Sequence, residues 1–189
     1  MFDSIVTHIK KHVSLSKEET DLLLSSIELK ELKKKEHLLQ EGKVCHENYF
    51  VVSGCLRMYL MTDKGTEQVI QFAIEDWWLT DYVSFKGECP SKFNIQAIES
   101  TKVLSFTKKA QNELFDKIPQ LERYFRIVLE KAYSAQLNRI HYIFNLGGEE
   151  QYHMMNKRYP EFVQRVPQYM LASFLGITPE FLSKLRAKK

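Results

Sequence analysis

The chain has 189 residues, of which 44% are hydrophobic and 27% are charged. This composition supports a packed core and excludes a disordered chain. No segment is apolar over the roughly 18 residues that a membrane span needs, and the N-terminus lacks the basic and apolar regions of a signal peptide. We therefore expect a cytoplasmic protein of one large or two small domains, with no membrane partner.

The net charge of +3 is concentrated at one end of the chain. Residues 145–189 carry seven Lys or Arg and four acids, whereas the first 144 residues carry 20 of each sign. Such asymmetry favours a polyanionic partner at the C-terminal end. Solvated surfaces often carry an excess of this size, so the charge alone does not decide the matter.

The three cysteines and six histidines do not have the spacing of a metal site. Cys45, Cys55 and Cys89 form no C-x-x-C pair, and we interpret them as reduced, mostly buried thiols. His8 and His12 are spaced as a helical pair, which we interpret as a polar face. An enzyme on a small barrel would need metal-binding histidines on neighbouring strands. We therefore predict no metal, no cofactor and no catalytic residue.

The first part of the chain changes from a helical to an extended pattern. Residues 1–28 are predicted to be helical, with a capping box that begins at Ser16. From Lys30 to Thr107, short apolar or alternating runs are separated by turns, without intervening helices. Six or more such strands predict an antiparallel barrel or sandwich. The runs are HLLQ, YFVV, CLRMYLM, EQVIQFAI, KFNIQAIE and TKVLSFT.

Two adjacent tryptophans stand in the middle of this region. Neighbouring residues of a strand point to opposite faces, so Trp77 and Trp78 cannot both line one pocket. We predict that one packs in the barrel and that the other covers a flank or contacts the long helix. Tyr82 and Phe85 are predicted to be core residues as well.

A long helix is predicted after Pro119, ending near Leu146, because apolar residues recur at spacings of three and four. They form two stripes. One can pack on the chain's own barrel, and the other needs a partner, most simply the same helix of a second subunit. A single wide face within a monomer is the alternative. The predicted dimer interface is Leu121, Phe125, Val128, Ala132 and Ala135, and the second stripe is Leu129, Tyr133, Leu137, Ile140 and Phe144.

The Gly147-Gly148 pair ends this helix and is predicted to be a domain boundary, an ordinary helix C-cap, or both. With the change of pattern near Pro119, it divides the chain into three predicted regions. These regions are residues 1–118, 119–146 and 147–189.

The last residues, LASFLGITPEFLSKLRAKK, are typical of a helix-turn-helix. Gly176 allows the tight turn, Thr178 is placed to cap the second helix, and Pro179 suits its first position. We predict that Glu180, Ser183 and Lys184 read bases of double-stranded DNA, because the first turns of a recognition helix enter the major groove. A solvated helical hairpin is the alternative. The candidate DNA-binding residues are Thr178, Glu180, Ser183, Lys184, Arg186, Lys188 and Lys189, the last three mainly as phosphate contacts.

The order of these parts resembles the Crp/Fnr family of bacterial transcription regulators. The motifs that carry the resemblance are QEGKVCHENYFVVSGCLRMYL, EDWWLTDYVSF and LASFLGITPEFLSKLR. It implies an α+β fold with an N-terminal antiparallel β-roll (a double-stranded β-helix of the cyclic-nucleotide-binding type), flanking helices, a long dimerisation helix and a C-terminal helix-turn-helix. It also implies an effector domain over residues 1–118, a homodimer that reads two half-sites, and RNA polymerase as a partner.

The resemblance also places candidate ligand-pocket residues. Members that bind cyclic AMP have a Gly-Glu pair and a later Arg-Ser pair, whose positions here hold Thr80-Asp81 and Ser91-Lys92. Asp81 keeps a carboxylate, but Ser91 cannot bind a phosphate as a guanidinium does. The positions that read the adenine in those members fall on Gln136, which could form a hydrogen bond, and on Leu137, which cannot.

Cyclic AMP is therefore not the expected effector, and the β-roll is expected to sense another small molecule or nucleotide, or none. An interaction module with the same β-roll, but without sequence-specific DNA binding, is the alternative function. Such a module would not need the basic second helix of the helix-turn-helix. Retention on DNA as a function of salt separates the two functions.

Overall fold

The computed structural model describes residues 2–187, which group into two compact units. The first unit contains the chain up to Met58 and from Phe72 to Glu130, and the second contains Tyr59–Gln71 and the chain from Lys131 onward. This division differs from the predicted regions 1–118, 119–146 and 147–189. The long helix contributes to both units instead of forming a region of its own, and the second unit includes a segment from the middle of the chain.

The N-terminal region contains two helices, α1 (Asp3–Lys10) and α2 (Lys17–Ser25), instead of one continuous helical segment. The predicted capping box at Ser16 is confirmed. The Ser16 hydroxyl accepts from the Glu19 backbone N–H at 3.1 Å, and the Glu19 carboxylate accepts from the Ser16 backbone N–H at 2.7 Å. Both groups satisfy donors that the first turn of a helix leaves unpaired.

Two four-stranded sheets form the β-roll, so the predicted antiparallel fold is confirmed. The strands are Glu28–Leu32 (β1), His37–Leu39 (β2), Glu47–Ser53 (β3), Leu56–Met61 (β4), Glu67–Ala73 (β5), Trp78–Leu79 (β6), Asn94–Ala97 (β7) and Thr101–Thr107 (β8). The strand orders are β1-β8-β3-β6 and β2-β7-β4-β5. β3 pairs antiparallel with β8, with Tyr49 opposite Ser105 and a register shift between Val51 and Ser53.

Strand β3 shows where the core of the first unit lies. Tyr49 and Val51 belong to a cluster that includes apolar residues of both sheets, whereas Phe50 belongs to a second cluster that includes residues of α1 and α2. Side chains alternate between the two faces of a strand. This strand is therefore buried on both faces, against a sheet on one side and against helices on the other.

A short helix, α3 (Tyr82–Gly87), interrupts the strands, so the prediction of strands without intervening helices was wrong. Asp81 caps it, because one carboxylate oxygen accepts from the backbone N–H groups of Val83 at 3.0 Å and Ser84 at 3.4 Å. Six residues are too few to show a helical period in the sequence.

After the β-roll, α4 (Lys108–Lys117) leads to the long helix α5 (Gln120–Asn145), which begins one residue after Pro119. The indole N–H of Trp78 donates to the Tyr124 hydroxyl of α5 at 2.8 Å, while Trp77 is 40% exposed. The predicted contact between one tryptophan and the long helix is therefore confirmed, whereas neither tryptophan belongs to the core cluster between the two sheets. Phe85 is fully buried and Tyr82 is partly buried in the core of the first unit.

The start of α5 corrects the predicted dimer interface. Leu121 and Phe125 are buried in the first unit's own core, and Val128 packs against the same cluster. Side chains that are already covered by their own chain cannot form the surface for a second copy. Ala132 and Ala135 are exposed.

Four helices follow α5 in the described chain: α6 (Gly148–Arg158), α7 (Pro160–Arg165), α8 (Gln168–Leu175) and α9 (Pro179–Ala187). Gly148 permits a close approach, since a Cβ atom there would lie 2.2 Å from Cγ2 of Ile177. Gly147 precedes α6, and its N–H donates to the Glu150 carboxylate at 3.1 Å. The glycine pair therefore ends the long helix and also allows α6 to pack on the turn before α9.

The described part of the chain contains neither a membrane-spanning helix nor a metal-binding cluster. No helix of residues 2–187 is long and apolar enough to cross a bilayer. Over the same residues, no group of three or more His, Cys, Asp or Glu side chains is arranged to hold a metal ion.

We predict that Gly54→Ala destabilises the β-roll more than Gly42→Ala. Both glycines have positive φ, at +93° and +82°, so both substitutions incur the strain of a left-handed residue, about 1–2 kcal/mol. A Cβ at Gly54 would in addition lie 2.6 Å from the Ser100 carbonyl oxygen, whereas a Cβ at Gly42 meets nothing within 4 Å. Urea unfolding measures both losses, and equal losses would contradict the steric argument.

Candidate functional site

The turn of the helix-turn-helix forms as the sequence predicts. Helix α8 is followed by Gly176 in the left-handed conformation, with φ 69°. The N–H of Gly176 donates to the Ser173 carbonyl at 3.3 Å, and that of Ile177 donates to the Ala172 carbonyl at 3.0 Å. Glycine adopts this conformation without the Cβ penalty of other residues, so the chain reverses sharply enough for α9 to return to α8.

The start of α9 is also as predicted. The Thr178 hydroxyl accepts from the Phe181 backbone N–H at 3.1 Å, and the Thr178 carbonyl accepts from the Leu182 N–H at 3.1 Å. Pro179 is the first helical residue, where its missing N–H leaves no bond unmade. Thr178 therefore acts as the N-cap, and its hydroxyl is engaged in that role.

A small apolar core fixes α9 to the helices before it. The predicted anchors Leu171, Ala172, Leu175, Leu182 and Leu185 are all buried. Residues of α6 and α7 that the sequence did not point to complete this core, namely Tyr152, Phe162 and Val163. One face of the second helix is thus held in place.

The opposite face of α9 carries the predicted base-reading residues. Glu180, Ser183 and Lys184 are all exposed, and they share one face because they are three and four residues apart. Thr178 is exposed at the same end of the helix. Lys188 and Lys189 lie outside the described residues.

Arg186 is placed differently from the prediction of a free phosphate contact. Its guanidinium Nη2 donates to the Val163 carbonyl, near the end of α7, at 2.7 Å, and the side chain is only partly exposed. The residue therefore ties α9 to α7. Its partner is 23 residues away, and no sequence pattern indicates that pairing.

The last turn of α8 is docked on strand β5, a contact that the sequence reasoning missed. The Ser173 hydroxyl accepts from the Val69 N–H at 3.0 Å and donates to the Glu67 carbonyl at 2.9 Å. The Gln68 side-chain amide donates to the Ser173 carbonyl at 2.5 Å. Three hydrogen bonds at Ser173 therefore fix the first helix of the motif to strand β5 of the same unit.

Arg139 of α5 adds a charged group to this docking site. Its guanidinium donates to the carbonyl oxygens of Ile70 and Phe174, the latter at 3.2 Å. It also lies over the Phe174 ring, 4.0 Å from the centroid, in the geometry of a cation–π contact. Desolvation by burial lowers the pKa of Arg139 to about 10, so the side chain stays charged at neutral pH.

Three of the five candidate ligand-pocket residues come together in the first unit. One oxygen of the buried Asp81 carboxylate accepts from the Ser91 hydroxyl at 2.7 Å, while the other caps α3. The Ser91 hydroxyl also accepts from the Phe93 N–H at 2.9 Å, and the Thr80 hydroxyl donates to the Glu47 carbonyl at 2.8 Å. The polar side chains of Thr80, Asp81 and Ser91 are thus bonded to groups of the protein itself.

The other two candidate residues do not join this group. Lys92 is exposed. Gln136 belongs to the second unit, where its amide nitrogen lies 3.4 Å from the Gln71 side-chain oxygen. Within residues 2–187, no arginine side chain forms a hydrogen bond or an ion pair with Asp81 or Ser91.

The fold is thus a β-roll of the cyclic-nucleotide-binding type that is followed in the chain by a helix-turn-helix. Residues 29–117 match the cyclic nucleotide-binding domain family. The anaerobic regulatory protein of Haemophilus influenzae is 24% identical over 186 residues, which cover 91% of this chain and 71% of that protein. These findings support the resemblance of the chain to the Crp/Fnr family of transcription regulators.

Solved structures have the same fold. FixK2 from Bradyrhizobium japonicum is similar with a TM-score of 0.71 at 15% identity, over 86% of this chain and 83% of that one. The c-di-GMP responsive global regulator CLP of Xanthomonas campestris has a TM-score of 0.73 at 14% identity, over 92% and 91% of the two chains. The Haemophilus influenzae and Xanthomonas campestris proteins are named as regulators.

Proposed function

We propose that this protein regulates transcription by binding double-stranded DNA as a homodimer, with α9 as the recognition helix. The observation that carries the proposal is the two-sided character of α9, with an apolar face fixed to α8 and an exposed face of Glu180, Ser183 and Lys184. The resemblance to the Crp/Fnr family supports it. RNA polymerase is a further proposed partner, the cytoplasm is the proposed location, and no catalytic activity is proposed.

The exposed face of α9 has the chemistry needed to read base edges. A carboxylate such as Glu180 accepts from the amino group of cytosine, a lysine such as Lys184 donates to guanine, and the Ser183 hydroxyl can bond to more than one base. Thr178, at the N-terminus of the helix, is suited to a backbone phosphate. Lys188 and Lys189, with the donors of Arg186 not used by Val163, are proposed as further phosphate contacts.

We predict that Glu180→Ala weakens specific DNA binding by about 1–3 kcal/mol and relaxes the preference at one base pair of each half-site. Glu161→Ala is the matched control, because Glu161 is also an exposed acid that follows a proline in the first turn of a short helix. Fluorescence anisotropy on specific and scrambled duplexes at two salt concentrations measures both variants. Unchanged sequence preference in Glu180→Ala would remove Glu180 from the base-reading residues.

The proposed dimer seam is the second apolar stripe of α5, which replaces the interface predicted from Leu121 and Phe125. The stripe is exposed, with Tyr133 at 66% and Phe144 at 81%. Its spacing of three and four residues matches a coiled-coil seam, and the same helix of a second copy is the simplest partner that buries it. Ala132 and Ala135 remain proposed at its flank. The seam residues are Leu129, Tyr133, Leu137, Ile140 and Phe144.

We predict that Leu137→Glu converts the dimer to a monomer, because an unpaired charge in a desolvated seam costs several kcal/mol. Asn138→Glu adds the same charge at an exposed neighbouring position outside the stripe and is expected to remain dimeric. Sedimentation equilibrium at micromolar concentration distinguishes the two variants. A wild-type chain that sediments only as a 22.3 kDa species would refute the dimer.

The effector is proposed to be a ligand other than cyclic AMP, or the regulator has none. The support is the Asp81–Ser91 hydrogen bond, which occupies the polar groups that the resemblance assigns to the ligand. Ser91 provides no cation for the cyclic phosphate, and the Asp81 carboxylate would repel an unneutralised one.

We therefore expect calorimetry to detect no binding of cyclic AMP to the wild-type chain at micromolar concentration. Ser91→Arg restores a guanidinium beside Asp81 and is expected to raise the affinity for cyclic AMP, while Ser91→Ala is not. Circular dichroism checks that both variants are folded. Micromolar binding of cyclic AMP by the wild-type chain would contradict the proposal.

A further inference from the structure

A pocket of ≈350 Å³ lies in the second unit, between the C-terminal half of α5, the start of α6, strand β5 and the turn after α8. Its walls are polar and apolar in about equal parts, and Ile143, Leu146 and Ile177 are among the apolar lining residues. Its size is at the lower end of the range for small-molecule sites, roughly 300–1,000 Å³. None of the proposed base-reading residues lines it, so the pocket is separate from the DNA-reading face.

Arg139 gives this pocket an unneutralised positive charge. Its described partners, the Ile70 and Phe174 carbonyl oxygens and the Phe174 ring, are all neutral. Burial lowers its pKa, and no carboxylate of residues 2–187 forms an ion pair with it. Charged groups that are withdrawn from water are normally paired with an opposite charge.

The guanidinium also has donors to spare. It carries five N–H groups in a planar fork that matches a carboxylate, and the two carbonyl oxygens account for two of them. The neighbouring amides do not compete for an anion, because Gln68 donates to Ser173 and Gln151 donates to the Tyr142 and Leu146 carbonyls.

We infer that this pocket binds a small organic monoanion, whose carboxylate pairs with Arg139 and whose apolar body covers Ile143, Leu146 and Ile177. The charge of Arg139 requires the carboxylate of the ligand, and the apolar side chains require its apolar body. An inorganic anion would leave the apolar side chains uncovered, and an apolar molecule or a cation would leave Arg139 unpaired. The inference does not depend on the proposed DNA binding, since the ligand is detected on the protein alone.

A substitution at position 143 tests the charge without removing Arg139. Positions 139 and 143 are one helical turn apart, so Ile143→Glu provides an internal carboxylate that can pair with Arg139 and also repels an anionic ligand. Ile143→Gln is the matched control, since it has nearly the same shape without the charge. Ile143 is half exposed, so both polar side chains are compatible with the fold.

The probes are octanoate, octylamine, acetate and inorganic phosphate, each titrated into the full chain while the melting temperature and the heat of binding are measured. We expect octanoate to raise the melting temperature saturably in the wild-type chain. Ile143→Gln is expected to bind octanoate more weakly than the wild type, because it loses one apolar contact, and Ile143→Glu at least tenfold more weakly than Ile143→Gln. Octylamine shares only the apolar body, and acetate and phosphate share only the negative charge. These three probes are expected to give no comparable effect.

Three outcomes overturn the inference. Octanoate fails to bind the wild-type chain, or it binds Ile143→Glu as well as it binds Ile143→Gln, or one of the other probes is as effective as octanoate. The probe series on the unaltered chain is decisive by itself if Ile143→Glu does not fold.

Discussion

The C-terminal end of α8 is the point on which the arrangement of the second unit depends. The last carbonyl groups of a helix have no hydrogen-bond donor within that helix. Here side chains from elsewhere in the unit donate to them. Gln68 donates to the Ser173 carbonyl and Arg139 donates to the Phe174 carbonyl, while the turn at Gly176 satisfies others. Because α9 follows that turn directly, β5 and the long helix together determine where α9 begins.

The same contacts explain how the Arg139 guanidinium can lie beside the turn without a carboxylate partner. Hydrogen bonds to neutral carbonyl oxygens and the aromatic face of Phe174 stabilise the Arg139 guanidinium but do not neutralise it. The residue therefore holds the helix-turn-helix in place and leaves a positive charge in a pocket that is partly lined by apolar side chains. The charged group of the first unit differs from Arg139, because both oxygens of the Asp81 carboxylate already accept hydrogen bonds, one from Ser91 and the other from the N-terminus of α3.

Sequence reasoning succeeded where the cause of a structure lies within a few residues. The capping box at Ser16, the left-handed turn at Gly176 and the Thr178 cap each need residues no more than five positions apart. It failed where the partner is distant, because no local pattern records such a contact. Ser173 bonds to a strand more than 100 residues away, and Leu121 and Phe125 face the chain's own core, although their spacing suits a dimer seam equally well.

Selection of bound sequences from a random pool of DNA duplexes tests the central claim, that α9 reads DNA on a symmetric dimer. The account predicts enrichment of two inverted half-sites whose centres are about one helical turn apart, roughly 10–10.5 base pairs or a multiple of that distance. The same selection in higher salt should retain the sequence and lose overall affinity. Failure to enrich any sequence over the starting pool, or enrichment of a single site without an inverted partner, would contradict the account.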